Sequence, residues 1–176
     1  MKNRIFRFLS FTTILCSFCL LISCGYHNPY VYDGPPKTIY ITSWKNRTSE
    51  LQLGTQIYQS LLSWYQRGSI TVVGNKQDAD LILGGEIVSV DIPSLSYGAN
   101  NITREVKLKL RVRYVLKDLQ SGLILLQHPG ELRTEEYVVT NDNITDSANE
   151  DEALATIIDE LSQDIYTRTL AALRKY

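Results

Sequence analysis

Cysteine, histidine and proline are all scarce in this chain of 176 residues, which holds three Cys, two His and five Pro. So few cysteines exclude a disulfide-dense miniprotein. His27 and His128 lie far apart with no nearby ligand or nucleophile pattern, so neither a metal centre nor a Ser/His/Asp set is expected. Neither sign of charge dominates, with 18 Lys+Arg against 19 Asp+Glu. That balance disfavours nucleic acid as a partner. Only one apolar run, Phe8 to Ile22, approaches the length of a membrane span, which excludes a polytopic membrane protein. What is present is 44% hydrophobic residues, too many for disorder. A single domain of this size buries roughly 70% of the surface its unfolded chain exposes.

The apolar run is preceded by Lys2, Arg4 and Arg7, the charge pattern of a secretory signal. A small-x-small cleavage site is missing. Leu21-Ile22-Ser23-Cys24 stands in its place and resembles the bacterial lipoprotein signal. The resemblance implies cleavage before Cys24, a diacylglycerol thioether on its sulfur and acylation of the new amine. A thiol at this position supplies the sulfur nucleophile, and two or more acyl chains hold firmly where one binds marginally. The competing reading is an uncleaved signal anchor. Residues 1–23 are thus read as a signal peptide and Cys24 as the lipidation site. The mature chain then has 176 − 23 = 153 residues and a charge of 15 − 19 = −4, since the signal removes three cations and no anion. Residues 24–36 read as the lipidated cysteine and a tether, because three Pro and two Gly between 25 and 36 prevent regular structure. Tyr26, Tyr30 and Tyr32 suit either a membrane interface or packing on the domain's edge.

Residues 37–176 read as one domain. Thr38–Ser43 alternates as a strand. Ser49 with Gln52 forms a capping-box pattern for a helix carrying Leu53, Ile57, Leu61 and Trp64/Tyr65 and ending at Gly68. Ser69–Val73 is a second strand, parallel to the first. Asp80–Ile92 is a third, whose apolar phase moves from Leu81 and Leu83 to Val88 and Val90, as a bulge at Gly84-Gly85 would produce. After a loop at Pro93–Asn101, Ile102–Lys117 alternates most strictly. Strand five starts at Leu123 and carries a break at Pro129-Gly130. Folding about Gln120 pairs residues whose numbers sum to 240, which sets Leu116 against Ile124, Tyr114 against Leu126 and Leu108 against Leu132. After a loop at Thr140–Asn149, Asn149 with Glu152 caps a final helix with a stripe of Leu154, Ile157/Ile158, Leu161, Ile165 and Ala172/Leu173. The expected fold is α+β, a two-layer sandwich. Two helices pack on one face of a mixed, mostly antiparallel sheet of four to five strands.

Catalysis is not expected, and no cofactor or metal is implied. Gly84-Gly85 lacks a phosphate-loop pattern. Asp78/Asp80 and Glu135/Glu136 read as ordinary loop and edge acids. The sequons at Asn46, Asn101 and Asn143 are common by chance. His128 shares the apolar parity, as a core or edge histidine would. One feature asks for a partner: Lys107, Lys109, Arg111 and Arg113 share the outward parity of strand four. In the register above, Lys109 opposes Glu131 and Lys107 lies diagonal to Glu131 and Glu135. Arg111 and Arg113 face Pro129 and Gln127 and stay uncompensated. The stripe is either a solvated face with weak ion pairs or a site for a phosphorylated glycolipid or an acidic protein wall.

Cys24-Gly25-Tyr26, Thr38-Ile39-Tyr40-Ile41 with Asn46-Arg47-Thr48, and Ala79 through Ile87 follow in order, then Asp118 with Gly122, Glu136-Tyr137, and Asp151 to Leu154. In that order and spacing, with the lipoprotein signal, residues 24–176 resemble the LPS-assembly lipoprotein LptE family. The resemblance implies an outer-membrane lipoprotein that plugs an LptD-type β-barrel and assists insertion of lipopolysaccharide into the outer leaflet. The alternative is a lipid-anchored periplasmic chaperone or carrier for a lipid or secretion component. Gly25, where an Asp would retain a lipoprotein in the inner membrane, favours the outer membrane.

Overall fold

A computed structural model describes residues 30–92, 104–140 and 142–175. The segment read as a signal peptide, Cys24, Tyr26, His27 and the loop expected at Pro93–Asn101 lie outside the described residues. In chain order the elements are β1 (Thr38–Ile41), β2 (Lys45–Asn46), α1 (Leu53–Arg67), β3 (Thr71–Val72), a 3₁₀ turn (Lys76–Asp78), β4 (Leu81–Asp91), β5 (Arg104–Asp118), β6 (Ile124–Val139) and α2 (Asn143–Leu173). The sheet order is β3-β1-β4-β5-β6, with β2 also beside β4. β1 and β3 are parallel, as the compact strand–helix–strand unit predicts, and β1 is also parallel to β4. The three long strands form an antiparallel meander. This is the expected two-layer α+β fold, with a sixth short strand continuing β1's place along β4.

The core lies between the sheet's inner face and the two helices. α1 contributes Leu53, Ile57, Leu61 and Tyr65, spaced three to four residues apart on one face. α2 contributes Ile157, Ile158, Leu161, Ile165 and Tyr166, and the sheet contributes Ile39, Leu81, Leu83, Leu108, Leu110 and Val112. Each such side chain, fully buried, contributes roughly 1.5–3 kcal/mol. Tyr65 and Tyr166 meet edge to face at 5.1 Å, and the Tyr65 hydroxyl lies 2.6 Å from Thr169 Oγ1, satisfying two polar groups inside the interface. Burial pushes the Tyr65 phenol well above its ordinary pKa.

Four local expectations are corrected. α1 starts at Leu53 behind Gln52, which makes no side-chain cap. The capping box at Ser49 is unused, because Asn46 and Thr48 organise that turn: the Thr48 amide and hydroxyl donate to Asn46 Oδ1 at 2.9 and 2.8 Å. α2 starts six residues before the expected Asn149 cap, at Asn143. Asp142 takes the Ile144 amide and, at 2.5 Å, the Thr145 hydroxyl. Most of the segment expected as a loop is therefore helix. The phase shift in β4 is real, but the extra residue is Val88, where pairing passes from Ile87↔Val112 to Ser89↔Arg111. Gly85 instead admits the Trp44 ring: a Cβ there would lie 2.5 Å from Trp44 Cε2.

The fourth correction is the register between β5 and β6. Leu116 opposes Leu126, Tyr114 opposes His128, Val112 opposes Glu131 and Leu108 opposes Glu135. The Pro129-Gly130 bulge is present, with Arg113 opposite two residues. Leu132 therefore points outward and is 47% exposed. The inner face of β6 carries His128, Glu131 and Arg133 instead of leucines. That face is tolerable because α2 packs over it with its own charged side chains.

Candidate functional site

The inner face of β6 and the C-terminal half of α2 enclose a charge-balanced cluster. Glu131, 10% exposed at its side chain, accepts from Arg133 Nε at 2.7 Å, Arg168 Nη1 at 3.2 Å and the Tyr114 hydroxyl at 2.9 Å. Asp164 accepts from Arg168 Nε at 3.0 Å and also contacts Arg133. Desolvation pulls both guanidinium pKa values down, but the charges and hydrogen bonds of Glu131 and Asp164 outweigh it and hold both above the ordinary value. Tyr114 is stacked between Trp44 and His128, with ring centroids 6.3 and 5.0 Å away. Burial first, and then the Glu131 carboxylate, raises its phenol well above the usual range. His128 Nε2 lies 2.6 Å from Arg168 Nη1. A guanidinium only donates, so this nitrogen accepts and the proton sits on Nδ1. Two cations against two anions make this a lock between layers. The histidine is a packed one, as its parity suggested.

The basic stripe points out of the opposite face of the sheet. Its members differ from one another more than alternation alone shows. Lys107 opposes Glu136 and pairs with it at 2.7 Å, and that hydrogen bond and charge raise its pKa. Lys109 lies against Thr134, and its ion partner is Asp91 at 3.7 Å. Neither residue meets Glu131, which faces the other way. Arg113 is not uncompensated: its Nε donates to Glu86 at 2.7 Å. Among the described residues, only Arg111 of the four has no ion pair. It is exposed, between Ser89 on β4 and Leu132 on β6. Sequence reasoning missed Glu86, the 7% exposed carboxylate that anchors this face. It contacts Arg47 as well as Arg113. Its position in an apolar strand was the available signal, because a buried acid demands paired cations.

Beside this pair a recess of about 280 Å³ is lined by Lys45, Gly84, Glu86, Arg113, Gln127 and Pro129, among others. The side-chain-free floor at Gly84 and the bulge at Pro129 make the depression. Lys45, Arg47 and Arg113 against Glu86 leave a surplus of two positive charges at it (3 − 1). With Arg111 one pair of residues along β5, the patch attracts anionic oxygens, and its arginines match phosphate or carboxylate geometry. Among the described residues no cluster of three metal-ligating side chains occurs, and no helix is long and apolar enough to cross a membrane.

The fold is shared with several solved structures. An uncharacterized lipoprotein B from Nitrosomonas europaea matches with 21% identity and a TM-score of 0.51, over 80% of this chain and 86% of that one. A hypothetical protein from Chlamydia trachomatis matches with 9% identity and a TM-score of 0.55, over 81% and 100% of the two chains. A protein from Xanthomonas campestris matches with 10% identity and a TM-score of 0.52, over 80% and 87%. At these identities the likeness shows the fold alone. No curated protein matches the chain. Two helices on one face of an open mixed sheet, with a cationic outward face, define the class. Residues 36–169 match the family described as LptE, lipopolysaccharide-assembly, and the chain belongs to that family.

Proposed function

We propose that this chain is an outer-membrane lipoprotein, acylated at Cys24, whose domain of residues 37–176 seats inside an LptD-type β-barrel and assists lipopolysaccharide insertion into the outer leaflet. It acts by occupancy and binding rather than catalysis. The family membership supports the assembly role. The interior of a membrane barrel is polar, which suits a domain whose outward sheet face carries Lys107, Lys109, Arg111 and Arg113 (residues all exposed). The observation that carries the reading is the cationic recess at Lys45 and Arg113 with the unpaired Arg111 beside it. These groups fit the phosphates of a lipopolysaccharide. A closed core favours a plug over a lipid carrier: Ile39, Leu61, Leu83 and Leu161, drawn from both layers, have no exposed surface.

Two measurements test it. A tagged chain drawn from membranes in mild detergent should bring a barrel protein with it, and recovery of none would count against the plug. Arg111→Glu should lower lipopolysaccharide binding about 5–10-fold, the loss of one charge-assisted contact, with thermal stability nearly unchanged. Unaltered binding would make the stripe a solvated face only. Arg113→Glu is the wrong probe, because it would set a second carboxylate against the buried Glu86.

A further inference from the structure

The described end of the tether is strapped to one end of the domain. Tyr166 Oη donates to the Tyr30 carbonyl at 2.7 Å, and Arg174 Nη2 donates to the Val31 carbonyl at 2.7 Å. The Tyr32 amide donates to Ser69 Oγ at 2.6 Å, and the Tyr30 ring lies 6.4 Å from that of Trp64. These partners belong to the C-terminal ends of α1 and α2. The β5–β6 turn reaches the same end, because Lys37 pairs with Asp118 at 3.8 Å and the Leu119 amide donates to the Asp80 carbonyl at 2.7 Å. Four of the exposed large apolar side chains gather here: Tyr30 at 43%, Val31 at 45%, and Leu123 and Ile124 at 52% each. Arg67, Lys117 and Lys175 stand exposed around them, without an ion pair among the described residues.

We infer that this end, left outside the proposed barrel because α2 at about 46 Å exceeds the roughly 25 Å band of a barrel wall, is a membrane-contact surface, which lays Tyr30, Val31, Leu123 and Ile124 against an anionic phospholipid leaflet. The inference rests on the proposed acylation of Cys24. Five residues lie between Cys24 and Tyr30, and the six Cα–Cα steps, fully extended, reach only about 21 Å. α2, 31 residues long, runs about 46 Å to the opposite end of the domain. While the strap stays docked, the anchor can bring the tether end to the bilayer but cannot bring the opposite end there. The composition of the tether end agrees: aromatic and aliphatic tips suit the interface, and the nearby cations are drawn to an anionic surface.

The test uses the full lipidated chain in vesicles of phosphatidylethanolamine and phosphatidylglycerol that contain a headgroup-nitroxide lipid. Leu123→Cys and Ile144→Cys, the latter in the first turn of α2 at the opposite end and 83% exposed, each carry a bimane label. Quenching at residue 123 should exceed that at residue 144 about fivefold, since the tether's reach falls well short of the length of α2. Equal quenching, or more at residue 144, overturns the inference. Intact mass separates the causes. Without acyl chains on Cys24 the anchoring reading has failed and the inference falls with it. With them present, equal quenching sinks the membrane-contact surface alone.

Discussion

Glu131 makes the interlayer cluster a quantitative test. Glu131→Gln keeps the side chain's size and removes its charge, which leaves Arg133 and Arg168 to share Asp164. Breaking a buried ion pair from one side costs about 3–5 kcal/mol. The arginine side chains keep 24% and 34% of their exposure, so water and Asp164 relieve part of that. A loss of ~2–3 kcal/mol remains once this screening is allowed for. For a domain of this size that is a fall in Tm of about 5–10 °C. Urea unfolding followed by far-ultraviolet circular dichroism should show a lower midpoint with an unchanged slope. In a double-mutant cycle, adding Arg168→Met to Glu131→Gln should cost less than the sum of the single losses by at least ~1 kcal/mol. A Glu131→Gln loss under ~0.5 kcal/mol, or strict additivity, would show that the cluster is surface decoration rather than a lock between layers.

Two other changes are sharp enough to measure. Gly85→Ala drives a Cβ into the Trp44 ring and should cost ~1–3 kcal/mol by overpacking; an unchanged urea midpoint would mean that Trp44 moves freely. Asp80 and Asp118 are held below the usual carboxylate range, first by backbone amides of Thr38 and Ser121 respectively, and also by hydroxyls of those residues. Their stabilisation is therefore full above the ordinary carboxylate pKa and is lost as pH falls below it through the depressed folded values. Asp80→Asn should flatten that acid-side decline in the urea midpoint, and a variant as acid-sensitive as the parent would contradict the assignment.

The strict alternation from Val106 to Leu116 made β5 readable, and the 3.6-residue stripes made both helices readable. Register was not readable, because pairing leucine with leucine assumes an apolar partner strand. The inner face of β6 is charged, and the residues that make this tolerable, Asp164 and Arg168, sit more than thirty positions later on α2. No local pattern in β6 announces them. The stripe's four cations were legible as a row but not as unequal groups. Arg113 is neutralised by Glu86 on a strand paired through a bulge, and that bulge moves with Val88 rather than with the conspicuous glycines. The two helix starts were missed for a related reason: Ser49 and Asn149 fit capping patterns, but nearby Asn46, Thr48 and Asp142 take the competing hydrogen bonds.

α1 and α2 run the same way. Their neighbours climb together, from Gln56 beside Leu154 to Tyr65 with Thr169. Two helices so aligned add their macrodipoles, where an antiparallel pair would cancel them, and both negative poles emerge at the strapped end. Left bare, that end would repel an anionic leaflet. Arg67 in the last turn of α1, and Arg174 and Lys175 just past α2, stand where they neutralise the poles, each for about 0.3–1 kcal/mol. The same three cations then serve the fold and, in the orientation inferred above, offset the negative poles that would face an anionic leaflet.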